Sequence, residues 1–431
     1  MKSMMLVNGV LLTTALLVGT ATVSYAFHDG GAGMCVGCHS LHGTDVVSTG
    51  GPSLLREQDA SSTCLYCHQR PGDSGPTTYH ISTPANELPL GAPPKQLTPG
   101  GDFGWLKKTY SWTPGPSLPM AYSQGERHGH NIVAADFLYD ADSTHAAAPG
   151  GAYPADSLSC ISCHDPHGTY RRNSDGSITK SFQPIRGSGS LASSPDPDAA
   201  GSVGVYRMLG GKGYLPTSLV GGFSFVNDPP AAVAPDDYNR PESATQTRVA
   251  YGAGMSEWCM NCHVDYAVTM HTVVAPGSGL DVAHPVGITG LLGAAVADTY
   301  NAYVRTGDLT GVSSASYLSL VPFEEGTTVY GALKINARSD DSLLTGPDGT
   351  TSQVACLTCH RAHASGWDNA TRWNTKTDFI VFGGYYAPAA NPEYAQGRTE
   401  AEAMRAYYDR PASIFASNQD TLCNKCHNGS Y

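Results

Sequence analysis

Six times the chain spells Cys-x-x-Cys-His. In chain order the motifs are Cys35/Cys38/His39, Cys64/Cys67/His68, Cys160/Cys163/His164, Cys259/Cys262/His263, Cys356/Cys359/His360 and Cys423/Cys426/His427, numbered 1 to 6 below. The chain has 12 cysteines, and the motifs use all of them. Two thiols at this spacing can each form a thioether to one porphyrin, and the adjacent histidine then lies under the iron as an axial ligand. Two other chemistries use paired cysteines. Disulfides do not require a histidine after every pair, and structural zinc usually joins two half-sites into four ligands. Six repeats with no cysteine left over point to six covalently bound haem c groups.

The 16 histidines leave ten outside the motifs: His28, His42, His80, His128, His130, His145, His167, His271, His284 and His363. Six irons with two imidazoles each need six of these ten. Three share a pattern: His42, His167 and His363 each follow a motif histidine by three residues. Such a residue cannot easily reach the far face of its own iron, but it can reach a neighbouring one. The alternative is a hydrogen bond to a propionate. His284 in Ala-His-Pro-Val-Gly, His130 in Gly-His-Asn-Ile and His80 in Thr-Tyr-His-Ile complete the distal set. His128 competes with His130, and His28 with His80. His145 and His271 are expected at the surface or on propionates. Met34, Met120, Met208, Met255, Met260, Met270 and Met404 could replace a histidine, but the surplus of histidines makes that unnecessary.

Closed irons suit electron transfer rather than catalysis. A catalytic haem needs an empty distal position with acid, base or charged groups around it, and no motif carries a lysine in place of its histidine. No catalytic residue is assigned. The alternative class is a haem enzyme with one open iron, such as a nitrite, hydroxylamine or metal-oxide reductase.

The elements that must position these residues are short. The chain has 49 Gly, 29 Pro and 23 Tyr, with only 14% charged residues. Disordered chains are poor in aromatics and rich in charge, so simple disorder does not fit. The expected fold is mostly irregular coil with short α-helices, an elongated single unit in which haem faces replace much of the apolar core. Motif starts are separated by 29, 96, 99, 97 and 67 residues, with no repeat beyond the motifs. Residues 71–125 and 174–245 read as extended wrapping loops. A helix is expected over Ala294–Arg305, stopped at Gly307. Thr399 and Glu402 form a capping box for another, running to about Tyr408 with Pro411 beyond. Short helices should lead into Cys259 and Cys423, and Asp378–Phe382 is the best strand. Trp105, Trp112, Trp258, Tyr385 and Tyr386 are expected to pack on porphyrins rather than relay electrons, and Lys107-Lys108 to pair with propionates.

Lys2, the apolar run Met4–Val18 and Ser24-Tyr25-Ala26 read as a secretory signal over residues 1–26, with the hexahaem unit spanning 27–431. The apolar run is short for a membrane span. With 37 acidic against 25 basic residues, the chain suits neither nucleic acid nor anionic membranes. The mature protein is expected to be exported through the periplasm. Cys35 would be its ninth residue, and His427 lies four from the C-terminus. Haems so near both termini can barely be covered by their own chain. Stacking them head to tail would cover them, and such a heterologous contact does not close, so it gives a fibre. The alternative is a monomeric periplasmic carrier whose end haems dock partners.

Gly100–Tyr110 (GGDFGWLKKTY), Gly125–Val133 (GERHGHNIV), Thr247–Tyr251, Gly254–Cys259, Leu318–Leu320, Pro322–Gly326 and Cys359–Gly366 (CHRAHASG) carry a resemblance across almost the whole chain. On these segments the chain resembles the six-haem outer-surface cytochromes of the OmcS type in metal-reducing bacteria. The resemblance implies a mostly irregular fold, bis-histidine haems and extracellular filaments that conduct electrons. It also implies that His42 ligates a haem of the adjacent subunit, the one held by Cys356 and Cys359. Expected partners are further copies of the chain, other multihaem cytochromes, and extracellular metal oxides or electron-accepting cells. The chain departs from the family around His145 and over 270–281, which leaves the role of His271 open.

Overall fold

The computed structural model describes residues 35–40, 55–73, 79–180, 185–216, 223–237, 239–265 and 284–427. The 1–26 signal, Met34, His28, His42, Met270 and His271 lie outside them. Regular elements are short throughout. The longest described helices are Gly293–Ala302 and Ala60–His68, of 10 and 9 residues. Strands of two or three residues pair only as small antiparallel ladders. Tyr110–Trp112 pairs with Ala121–Ser123, and Arg171–Arg172 lies between Ile178–Thr179 and Val203–Gly204. Ala232–Val233 pairs with Ala250–Tyr251, and Phe379–Val381 with Gln419–Asp420. Frequent Gly and Pro oppose longer elements: one loses the most backbone entropy on ordering, the other lacks an N–H. Among the described residues no helix is long and apolar enough to cross a membrane.

Local signals act where side chains satisfy the backbone directly. Thr399 Oγ1 accepts the Glu402 N–H at 3.2 Å, and Glu402 Oε2 accepts the Thr399 N–H at 3.0 Å, opening the helix Glu400–Ala406. The Asp378–Phe382 strand forms, trimmed to Phe379–Val381. The helix expected to run to Arg305 stops at Ala302 instead. Tyr303 turns extended there, because its buried ring packs inward and its hydroxyl accepts from Gln419. A helix leads into motif 4 (Met255–Cys259), whereas motif 6 has only a 3-10 turn, Leu422–Lys425. The 71–125 stretch is less open than expected. It contains the 3-10 turn Phe103–Lys107 and the Tyr110–Ser123 hairpin.

Apolar side chains form clusters of their own beside the motifs. The largest gathers Trp105, Trp367, Trp373, Tyr300, Tyr407 and Leu320, with Cys359, Cys423 and Cys426 packed against it. Tyr386 stacks on Tyr407 at 4.3 Å. Arg398 lies over the Tyr110 and Trp367 rings, and fully buried Arg410 is held by Glu242 and Ser319. Smaller clusters abut Trp258 and Leu357 near motifs 4 and 5, and Cys160 of motif 3. The Lys107-Lys108 pair is spent within the polypeptide, not kept for propionates. Lys107 Nζ donates to the Phe137 carbonyl and sits 4.0 Å over Tyr139. Buried Lys108 pairs with Glu402 at 2.9 Å and donates to the Pro89 and Ala92 carbonyls.

Candidate haem sites

Motifs 3 and 5 show how the sequence builds a grip. Cys160–Cys163 and Cys356–Cys359 are single four-residue helical turns. The third residue of each turn folds back on its start: Ser162 Oγ accepts the Ser159 N–H and Thr358 Oγ1 the Ala355 N–H, both at 2.9 Å. A spacing of three places both thiols on one face. The next residue leaves the helix in extended conformation, and His164 and His360 bridge to Leu209 and Thr371. Each imidazole is thereby swung off the turn that carries its cysteines. No disulfide joins the cysteines whose side chains are described.

Backbone carbonyls fix the rings. The Nδ1 of His68 donates to the Tyr79 carbonyl (3.0 Å), of His164 to Arg207 (2.7 Å), of His263 to Pro149 (2.7 Å), of His360 to Asn369 (2.8 Å) and of His130 to Ala362 (2.8 Å). A carbonyl only accepts, so the proton sits on Nδ1 and the Nε2 lone pair is left for a metal. Burial also favours the neutral ring, taking His130 down to about 4, with His263 adding to the drop.

Imidazoles then meet in pairs. His39 faces His167 with centroids 6.4 Å apart and planes 6° off parallel. His130 lies 6.1 Å from His263, and His284 5.8 Å from His427. Two imidazoles on opposite sides of one ion, each nitrogen about 2 Å from it, put their centroids roughly 6 Å apart. His363, pushed down to about 3 by burial, has His164 as a charge neighbour. His68 likewise has His80 beside it. Among the described residues the imidazoles near His360 are His263 and His130, which face each other.

The motifs themselves touch in sequence order. Cys38 neighbours Cys67, Cys64 neighbours Cys160, and Cys163 neighbours Cys262. Cys259 neighbours Cys356, and Cys359 neighbours Cys423 and Cys426. Two glycines let the chain close on motif 5. A Cβ on Gly101, whose φ is +95°, would lie 1.7 Å from the Ala364 carbonyl oxygen, and one on Gly129 2.2 Å from that of His363.

A protein described as C-type cytochrome OmcS, from Geobacter sulfurreducens, is 51% identical over 441 aligned positions, which cover 99% of each chain. Two solved structures, described as cryo-EM of the OmcS nanowires and as the Outer Membrane Cytochrome S filament, both of Geobacter sulfurreducens, superpose with TM-scores of 0.86. They share 51% identity and cover 94% of this chain and all of theirs. No protein-family model matches the chain. The chain belongs to the OmcS family of c-type cytochromes.

Haem c is therefore the cofactor of this OmcS-family chain, and its residues suit that group. They present thiols in pairs, neutral imidazoles, and ring pairs separated by the width of one axially ligated iron. Among the described residues no group of three or more His, Cys, Asp and Glu side chains converges as a bare zinc ion would require. His128, the competitor of His130, has both nitrogens engaged. Nδ1 donates to the Trp105 carbonyl at 3.0 Å, and Nε2 lies 2.8 Å from Ser123 Oγ in a fully buried site. His145 sits exposed against Asp142 at 3.0 Å. His80 is buried with Nδ1 on the Asp73 carboxylate, a partner that would hold the ring in place. Asp73 was not singled out by the sequence, because nothing in its spacing marks it. The ring-holding carbonyls are backbone atoms and leave no residue signature at all.

Proposed function

We propose that residues 27–431, after loss of the 1–26 signal, carry six covalently bound haem c groups and pass electrons along them outside the cell, joined to further copies in a filament. The twelve motif cysteines would attach the porphyrins. The six motif histidines would supply one axial nitrogen each, and His42, His80, His130, His167, His284 and His363 the other. The bound porphyrins supply reversible one-electron iron chemistry. The polypeptide spaces, shields and tunes them. Imidazoles held from both sides would leave no coordination position open, so that little would have to move when charge arrives. The sequence-ordered contact of motifs gives a continuous path from motif 1 to motif 6.

Register carries the filament reading. His167, which follows motif 3, faces His39 of motif 1. His363, which follows motif 5, neighbours His164 of motif 3. Each such histidine serves the motif two places earlier. Continued by one step, His42, which follows motif 1, serves motif 5 of another copy. His360 of motif 5 is the motif histidine whose neighbouring imidazoles already face each other. A link of that kind is heterologous and propagates. Relatives described as nanowires and as an outer-membrane cytochrome filament support both the assembly and the location. Other multihaem cytochromes would load the filament, and metal oxides or electron-accepting cells would drain it by outer-sphere transfer.

His42→Ala tests this directly. Filaments should be lost from electron micrographs, and one haem in six should become high-spin, binding cyanide rapidly when ferric and carbon monoxide rapidly when reduced. Intact fibres with six low-spin haems would refute the assignment.

A further inference from the structure

The ring of His80 differs from others in what holds it. The Nδ1 partners of His68, His130, His164, His263 and His360 are neutral backbone carbonyls. His80 Nδ1 instead donates to Oδ2 of the Asp73 carboxylate, and both side chains are almost wholly buried. The same Oδ2 accepts from the Gln96 amide at 3.0 Å, and buried Gln96 accepts in turn from Asn239 at 3.2 Å. Asn239 Oδ1 accepts the Leu97 N–H at 2.7 Å, which ties this support to the backbone. Lys95, the cation next to Gln96 in the chain, is committed to Glu87 at 2.6 Å.

Direct contacts place this ring at motif 2. The Ile81 N–H donates to the His68 carbonyl at 2.9 Å, Gln69 bridges to Ser82, and Gln69 Nε2 donates to Ser82 Oγ at 2.6 Å. The Tyr79 ring meets both imidazoles, with centroids 5.6 Å from His68 and 4.7 Å from His80. The segment is thus clamped to the exit of motif 2 at residues on both sides of His80.

A hydrogen bond to a carboxylate is roughly twice as strong as one between neutral groups. It draws the Nδ1 proton toward the oxygen, raises the basicity of Nε2 and pushes electron density toward whatever that nitrogen ligates. A ferric porphyrin core carries one positive charge and a ferrous core none, so the added density and the nearby negative charge both favour ferric iron. We propose that Asp73 is a positioning residue that sets the potential of the motif 2 haem, holding it below the value a carbonyl-held ligand would give. This rests on the reading of His80 as an axial ligand of that haem. In the electron step, one electron leaves ferrous iron at an adjoining motif, which becomes ferric, and takes the motif 2 iron from ferric to ferrous. The Nδ1 proton stays between His80 and Asp73 throughout. Motif 2 is then a raised step for an electron travelling between motif 1 and motif 3.

Spectroelectrochemical titration of assembled holoprotein at one fixed pH, with electron paramagnetic resonance of the ferric state, tests this. His80→Ala identifies the component, because one of the six low-spin haems should turn high-spin. Asp73→Asn keeps an acceptor for Nδ1 but removes the charge. Its six haems should stay low-spin, while the same component shifts toward ferrous by roughly tenfold in equilibrium, which is 59 mV upward for one electron. Asp73→Glu restores the charge and should bring that potential back toward wild type. Gln96→Met takes the second donor from Oδ2, so it should move the component the opposite way, downward; it also serves if Asp73→Asn does not mature. An unchanged potential in Asp73→Asn, or in Gln96→Met where only that variant matures, would overturn the proposal. Six low-spin haems in His80→Ala would instead overturn the ligand assignment, and the proposal with it.

Discussion

The two histidines of Gly125–Val133 show how neighbours in sequence take unrelated work. His128 points into a network with Ser123, Asp368 and, through Ser123, Arg398. His130 points at His263. His130→Ala should therefore open one iron, read as a high-spin signal assigned to motif 4. His128→Ala should leave six low-spin haems and lower stability by about 1–3 kcal/mol, the usual cost of leaving buried polar partners unsatisfied. Glu324, buried with its Oε1 accepting the Gly254 N–H at 3.0 Å, makes a stability prediction of its own. Its folded-state pKa is raised, so above about 4.5 the unfolded chain ionises while the folded chain keeps its proton until about 8. Stability is thus lost as pH rises across that window, by an amount on the order of a few kcal/mol. Glu324→Gln should flatten this decline in denaturation curves taken from pH 5 to 8.

At the scale of elements, the short turns hold because each end is satisfied locally. Thr399→Ala removes half of a capping box and should cost about 1 kcal/mol, visible as a lower Tm with unchanged spectra. The approach of the Gly100–Tyr110 and Gly125–Val133 segments to motif 5 is less forgiving. Gly129→Ala would drive a Cβ into the His363 carbonyl. The segment carrying His363 would have to shift, and the readout should be a loss of low-spin character at motif 3 rather than a simple drop in Tm. Both segments carry the family resemblance, and their glycines have this steric reason to be there.

For the whole molecule, the register of two motifs gives the filament a direction. With the proposed His42 joint, a subunit lacking that histidine can still receive a neighbour's at motif 5 but cannot offer its own. Added in small amounts during assembly, His42→Ala chains should cap wild-type filaments and shorten them in proportion to the fraction added, as measured from micrographs. A side-by-side, closed contact would give no such dependence.

The haem chemistry was legible in the residues, because thioether attachment and axial ligation demand fixed types at fixed spacing, here Cys35 to His427. The mostly irregular fold followed from Gly and Pro content, and the Thr399–Glu402 box from a purely local hydrogen-bond pattern. The end of the Gly293–Ala302 helix did not, since Tyr303 leaves it for partners more than a hundred residues away. Nor did the use of Lys108 against Glu402, nor the engagement of both nitrogens of His128. Which motif each distal ring approaches depends on how loops of about a hundred residues fold back. Spacing along a chain fixes what a residue can bind; only three-dimensional packing decides what stands opposite it.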